Sequence, residues 1–336
     1  MQSHPIRIIS GELIRELAPP SDLRQWMAQA MVASSAGRAV MPLRRALVLP
    51  DGKGIVGMMP GYLTDARAAG VKLVSLVPSE RRRGSSHLGL MVLYDEEGLV
   101  PIALLCGATI TAVRTAAVSA LATDHLARRS AKVLAILGTG EQAKSHIEAL
   151  TKVRPFEELR VWGRRPAEVE RFVNEQAARL LQGQAAQGVR FRACVSVAHA
   201  LEGADVVCTL TSSPEPILPG ALLCAGMHVN LVGSSSADAA EADDDVVARS
   251  RFFIDWRESA LNQAGELLGA ISRGVVTADH IQGELGAVIA GDCPGRRSDD
   301  EITVYKSLGV AAQDVMTARR VFDRAQARGL GSVVEV

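Results

Sequence analysis

Residues 132–150 read KVLAILGTGEQAKSHIEAL. An apolar run, Val133–Leu137, meets two glycines, Gly138 and Gly140, and continues as a stretch of helical spacing. Gly138, Gly140 and Ala143 make a GxGxxA pattern placed directly between a strand and a helix. In that context each small residue has a task. Gly138 permits a tight turn, Gly140 lets a pyrophosphate approach the backbone, and Ala143 keeps the helix close to the strand. The free N–H groups at the helix start then face phosphate oxygens. A Gly-rich structural turn is the other reading of the same residues.

Working outward, the pattern downstream is βαβ. Strands are expected at 132–137, 159–163, 189–194, 205–210, 228–232 and 251–255, with helical stretches at 141–152, 166–181 and 196–202. Strand, helix and strand at this spacing predict a parallel sheet with crossovers. The second strand sharpens the cofactor. A site for NAD usually ends this strand on an acid that binds the ribose 2′-hydroxyl. Here Gly163 stands there, followed by Arg164 and Arg165. Two guanidinium groups suit a 2′-phosphate, so NADP(H) is favoured and NAD(H) remains possible. Two solvated arginines at a helix start are the alternative.

Upstream, residues 11–36 read helical, broken by Pro19 and Pro20. Residues 44–120 hold short apolar runs separated by Gly, Pro and Asp, a meandering strand-rich segment. An Ala-rich helix follows at TAVRTAAVSALATDHLA. After Ile302, TVYKSLGVAAQDVMTARRVFDRAQARG reads as one long final helix, and the acidic EADDDVV at 241–247 as a solvated helix start. The fold class is therefore α/β: a Rossmann-type domain over 126–304, and a strand-rich α+β domain over 1–125 and 305–336.

Composition removes other classes. Lys plus Arg and Asp plus Glu balance at 37 each, which gives no electrostatic case for nucleic acid or an anionic membrane. No run of 18 apolar residues and no signal-peptide pattern is present. The five cysteines form no CxxC pair, so no metal site is expected and free thiols in the cytoplasm are.

Several stretches together carry a resemblance: RTAAVSALATDHLA, GTGEQAKSH, VWGRRP, HVNLVGSSSADAAEADDDVV and ITVYKSLGVAAQDV. The chain resembles the ornithine cyclodeaminase/mu-crystallin family from about Pro42 to Asp323. The resemblance implies an N-terminal substrate and dimerisation domain, with the Rossmann-type domain inserted and the last helix packed back. It also implies chemistry on carbon–nitrogen bonds at an amino acid's α-carbon. Its substrate residues fall at Arg44 (Arg45 being the one-off alternative), Lys72 and Arg114. Taken alone these would be a surface arginine, a strand-edge lysine and an arginine capping a loop. The residue types suit an α-imino acid, whose carboxylate two arginines can clamp and whose nitrogen a partly desolvated lysine can protonate. His87 lies where some imine-reducing relatives have a histidine, and a structural histidine is as fitting. The cofactor set is Thr115, Gly138, Thr139, Gly140, Glu141, Gln142, Ala143, Arg164, Arg165, Thr209, Thr211, Val232 and Ser235.

One departure separates activities. Cyclodeaminases of the family carry an aspartate after the fifth strand, where this chain has Ser235. Asp238 is near enough to substitute for it if the loop shifts. The GDCPG at 291–295 lies too far along the chain to be the same element. The implied function is an NAD(P)H-dependent reductase of small α-imino acids. A cyclodeaminase and a non-catalytic NADPH-binding, crystallin-like protein are the competing readings. A homodimer is expected, because 44–107 is too short to close a sheet on its own.

Overall fold

The structure, a computed structural model, describes residues 4–77, 87–182 and 188–336, with the backbone alone at His87, Leu181 and Gln182. The chain divides into two compact units, Met1–Arg114 with Val310–Val336, and Thr115–Gly309. Both divisions fall close to sequence signals: one inside the Ala-rich helix, the other at Gly309, whose φ is 78°.

The first unit opens with β1 (Pro5–Ile9), α1 (Gly11–Leu17) and α2 (Pro20–Ser35). Pro19 and Pro20 separate the helices as expected, Pro20 occupying the first turn of α2, where a missing N–H costs nothing. There follow β2 (Ala39–Val40), β3 (Arg45–Leu49), β4 (Gly54–Leu63), β5 (Ala68–Leu76), β6 (His87–Asp95), β7 (Pro101–Cys106) and α3 (Gly107–Leu126). The strands form a mixed sheet ordered β16-β1-β7-β6-β5-β4-β2, with β3 also on β4; β16 (Ser332–Glu335) comes from the chain's end. One face packs on α11 (Ala311–Ala327). Glycines set that approach: a Cβ on Gly61 would sit 2.7 Å from the Ala311 methyl. Lys72, Met59 and Met91 lie across from one another in register and point into this packed side, all buried. The opposite face carries Leu47, Met58, Leu73, Leu88 and Leu90, and within this unit it is open: Leu47 is 61% and Leu90 50% exposed.

The second unit continues with β8 (Val133–Leu137), α4 (Glu141–Leu150), β9 (Glu158–Trp162), α5 (Pro166–Gln182), β10 (Arg190–Cys194), α6 (Val197–Leu201), β11 (Val206–Thr209) and β12 (His228–Leu231). Then come α7 (Asp244–Ala248), β13 (Arg251–Ile254), α8 (Arg257–Gln263), α9 (Gly265–Ser272), β14 (Ile281–Glu284), α10 (Leu285–Ala290) and β15 (Thr303–Lys306). All eight strands are parallel, in the order β10-β9-β8-β11-β12-β15-β13-β14. The first six reproduce the doubly wound dinucleotide-binding order, with its reversal between β8 and β11. Two apolar clusters cover the two faces, Leu134 and Ile136 on one side and Ala135 and Leu137 on the other.

Two expectations are corrected here. Thr303–Lys306 is a fully buried strand of the central sheet, and the last helix begins only at Ala311. Thr-Val-Tyr is β-branched and aromatic, and the parallel sheet covers both its faces, which a helical reading of the run overlooked. The acidic stretch at 241–247 is not a uniformly solvated helix start. Glu241 is completely buried, and Asp243 caps α7 by accepting from the Val246 N–H.

Candidate active site

The glycine turn takes the form its residues predict. Gly138 adopts φ 131°, and a Cβ there would meet the Leu210 carbonyl oxygen at 2.7 Å. Its N–H is held by the Trp162 carbonyl. Gly140 is the N-cap of α4 with no side-chain cap, and a Cβ on it would meet nothing within 4 Å. That open space beside uncapped N–H groups fits a pyrophosphate. Ala143 is buried against the sheet, Thr139 lies beside Gly163, and Glu141 and Gln142 form the first turn of the helix. Arg164 and Arg165 are exposed just beyond β9, Arg165 paired with Glu168 at 2.9 Å.

The remaining residues expected to hold the cofactor occupy different surroundings. Thr115 is buried in α3. Thr209 is also fully buried, and its hydroxyl donates to Glu241. Thr211 follows β11 and donates to the same carboxylate through both its N–H and its hydroxyl. Val232 and the half-buried Ser235 follow β12, while Asp238 is exposed. The 291–295 stretch follows α10 and turns at Gly291, whose φ is 85°.

In the first unit, Lys72, Arg114 and Asp314 meet. β5 brings Lys72, α3 brings Arg114 and α11 brings Asp314, and all three are at most 4% exposed. Lys72 Nζ lies 2.8 Å from Asp314 Oδ2, and Arg114 Nε lies 3.1 Å from Oδ1. Arg114 Nη1 also donates to Gln313 Oε1 at 2.7 Å. Burial lowers the Lys72 pKa to about 8; Asp314 pulls it back up, while Arg114 and Arg44 push it down. Burial would raise the Asp314 carboxyl, but the charges of Lys72 and Arg114 hold it below the usual range. Arg44 thus acts on the lysine from the loop before β3, whereas Arg45 sits on the exposed face of β3 opposite Met58. His87 opens β6 opposite Leu76; its side chain lies outside the described residues, as do 78–86.

Asp314 was missed by the sequence reasoning. Its signal was a Gln-Asp pair inside the apolar run VAAQDVMTA, at positions that would otherwise face a core. A carboxylate buried with two cations, Lys72 and Arg114, with the charge of Arg44 also acting on the lysine, leaves an excess of positive charge, suited to an anionic substrate. Asp314 orients the lysine ammonium, and burial brings that ammonium within reach of a proton transfer near neutrality.

A profile of the ornithine cyclodeaminase/mu-crystallin family matches residues 11–329. A Delta(1)-pyrroline-2-carboxylate reductase of Bacillus cereus is 33% identical over 330 residues, 98% of this chain and 99% of that protein. A ketimine reductase mu-crystallin of Macropus fuliginosus is 34% identical over 96% of this chain and 98% of its own length. The structure of Thermococcus litoralis Delta(1)-pyrroline-2-carboxylate reductase in complex with NADH and L-proline superimposes with a TM-score of 0.93. Its sequence is 32% identical, and the match covers 98% of this chain and all of that one. With that match running almost end to end, over a second unit whose doubly wound sheet carries GxGxxA and a first unit that buries a lysine, an arginine and an aspartate together, the chain belongs to the ornithine cyclodeaminase/mu-crystallin family.

Proposed function

We propose that this protein is an NAD(P)H-dependent reductase of small α-imino acids, yielding L-amino acids, and that NADPH is its preferred reductant. The observation that carries the reading is the buried Lys72–Asp314–Arg114 cluster, with Arg44 near enough to act on Lys72. When bound, the reduced nicotinamide supplies hydride. Arg44 and Arg114 take the substrate carboxylate. The bonds of Arg114 to Asp314 and Gln313 fix its guanidinium plane, so the carboxylate is received in one orientation. Lys72 gives its proton to the imine nitrogen as hydride reaches carbon, and a pKa near 8 leaves it protonated yet acidic enough to do so. Asp314 keeps the ammonium pointed and stabilises it between turnovers.

The protein's substrates are cyclic, such as pyrroline-2-carboxylate or piperideine-2-carboxylate, or acyclic, such as iminosuccinate or a ketimine. The two relatives named as reductases of a cyclic imine and of a ketimine support that range. Preference for NADPH rests on the exposed Arg164 and Arg165 and on Gly163 in place of a ribose-binding acid; the Thermococcus litoralis relative was solved with NADH. Ser235 argues against cyclodeamination, since it cannot serve as the acid that the lyases use. The open apolar face bearing Leu47, Met58 and Leu90 fits a second copy of the chain, because patches of this kind seldom stay exposed on monomers. Five cysteines, none in a disulfide, fit a cytoplasmic enzyme.

The test is a panel of imino acids: keto acids with ammonia or methylamine, and preformed cyclic imines, with NADH and NADPH consumption followed. Reduction of at least one α-imino acid is expected, fastest with NADPH. Release of proline and ammonia from ornithine at a rate matching the best reduction would refute the reading, and so would inertness toward every imine.

A further inference from the structure

The ends of β11, β12 and β15 converge on a buried carboxylate that the mechanism above does not use. Glu241 Oε1 accepts the Thr211 N–H at 2.7 Å and the Thr211 hydroxyl at 2.6 Å. Its Oε2 accepts the Thr209 hydroxyl and the Gly233 N–H, each at 2.6 Å. Each oxygen therefore holds two donors, and two of the four are backbone groups that can only donate, which is the arrangement of an ionised carboxylate. Burial pushes the Glu241 pKa up against the pull of the two threonines and the Lys306 charge.

A second layer holds this carboxylate in place. Lys306, the last residue of β15, is completely buried, pairs with Glu266 at 2.7 Å and donates to the Ser234 carbonyl at 2.8 Å. Glu266 accepts the Glu241 N–H at 3.0 Å. Gly233 has no room for a side chain: a Cβ would lie 2.2 Å from the Thr211 carbonyl oxygen and 2.4 Å from Glu241 Oε1. Gly265 packs as closely on Ala239, at 2.0 Å. The loop from Gly233 to Glu241, which carries Ser235, is thereby pinned at both ends.

Position decides what this pinning is for. The glycine turn after β8 and the arginines after β9 lie on one side of the β8/β11 reversal, Thr211 and Gly233 on the other. In doubly wound sheets a dinucleotide lies across that reversal, one half to each side. The adenosine half belongs with the glycine turn and the arginine pair, which leaves the ends of β11 and β12 to the nicotinamide half.

We propose that Glu241 is the positioning residue of the nicotinamide half of the cofactor site: it sets the Thr211 and Gly233 backbones against the nicotinamide riboside and leaves the adenosine half untouched. This rests on the nicotinamide-cofactor reading above. Glu241→Gln keeps the size but replaces one acceptor oxygen by an amide that meets donors. Thr209→Val removes one hydroxyl from Oε2 at nearly constant volume, well inside the sheet.

The experiment is calorimetric titration of the cofactor-free protein with NADPH and NADH, and separately with ADP and its 2′-phosphate, which lack the nicotinamide riboside. A hydrogen bond to a charged group is worth about tenfold or more in an equilibrium constant. Glu241→Gln should therefore weaken the better dinucleotide by about tenfold or more while the adenine fragments stay within about twofold. Thr209→Val should show the same split at about threefold, and it decides the matter if the Gln variant does not fold. Equal weakening of dinucleotide and fragment, or no weakening of either, overturns the assignment. A wild type that binds neither class overturns the cofactor reading and this inference with it, whereas a wild type that binds both upholds the cofactor reading whatever the variants do.

Discussion

Asp314→Asn tests the proton donor most directly, because it alters Lys72 without touching it. In the wild type the Asp314 carboxylate lies 2.8 Å from the lysine nitrogen. At that separation, with an effective dielectric constant of about 20, the attraction is on the order of 6 kcal/mol before the site responds. Asparagine keeps the Arg114 contact through its carbonyl and turns an NH₂ toward Lys72. That NH₂ opposes an ammonium but donates well to a neutral amine. If about half of the attraction survives as compensation from water and side-chain movement, roughly 3 kcal/mol is lost, which is about 2 pKa units. Lys72 would then move from about 8 to about 6. Only the protonated lysine donates, so the wild-type kcat/KM for imine reduction should be flat below about 8 and fall above it. In the variant the falling limb should move about 2 pH units toward acid. At pH 7 the protonated fraction drops from about nine-tenths to about one-tenth, a loss of about tenfold that is largely recovered by about pH 5.5. The assay is kcat/KM against pH for the best imine, with circular dichroism and NADPH titration as controls for folding and cofactor binding. A limb that stays near 8 in the variant would refute the coupling of Asp314 to Lys72, and an activity loss that acid does not restore would show that Asp314 acts by another route.

Other expectations are independent of that one. Lys72→Met keeps most of the volume and removes the proton, so turnover should fall by ~10²- to 10⁴-fold while NADPH still binds; full reduction by this variant would exclude Lys72 as the donor. Replacing Arg164 and Arg165 by Ala should raise KM for NADPH and leave NADH little changed, and the 2′-phosphate reading fails if NADH is the better wild-type substrate. Leu90→Glu on the open sheet face should shift sedimentation at micromolar concentration from dimer toward monomer, and a wild-type monomer would contradict the dimer outright. Burial lowers the pKa of His146 to about 4 and of His228 to about 3. Both lie below the unfolded value of about 6.5, so the unfolded chain binds more protons and stability declines as pH falls from about 6.5 toward 4, by roughly 1.4 kcal/mol per histidine per pH unit. Urea midpoints compared at pH 7.5 and 5.5 would show this, and equal midpoints would not fit two neutral buried imidazoles.

Much of this protein was legible in its sequence because the features concerned are local. GxGxxA after an apolar strand and before a helix needs only about a dozen neighbouring residues to fix its backbone, and Gly138 and Gly140 adopt the conformations that those residues require. The βαβ alternation likewise announces a parallel sheet, since each crossover is written in contiguous periodicity. Lys72, Arg114 and Arg44 are singled out only by the resemblance to the family, since taken alone each reads as an ordinary structural or surface residue. Other features exist only because distant segments meet. Thr303–Lys306 is a strand because a parallel sheet encloses both its faces, and its β-branched and aromatic residues are too few to show that without the neighbouring strands. Glu241 looks like an ordinary surface acid in the sequence, and Asp314, though set in an apolar run, names no partner there. Asp314 is buried because Lys72 and Arg114 arrive from 242 and 200 residues away to balance its charge. Glu241 is buried because the ends of β11 and β12 present four donors to it. A buried charge is stable only where its partners converge, and that convergence belongs to the tertiary structure.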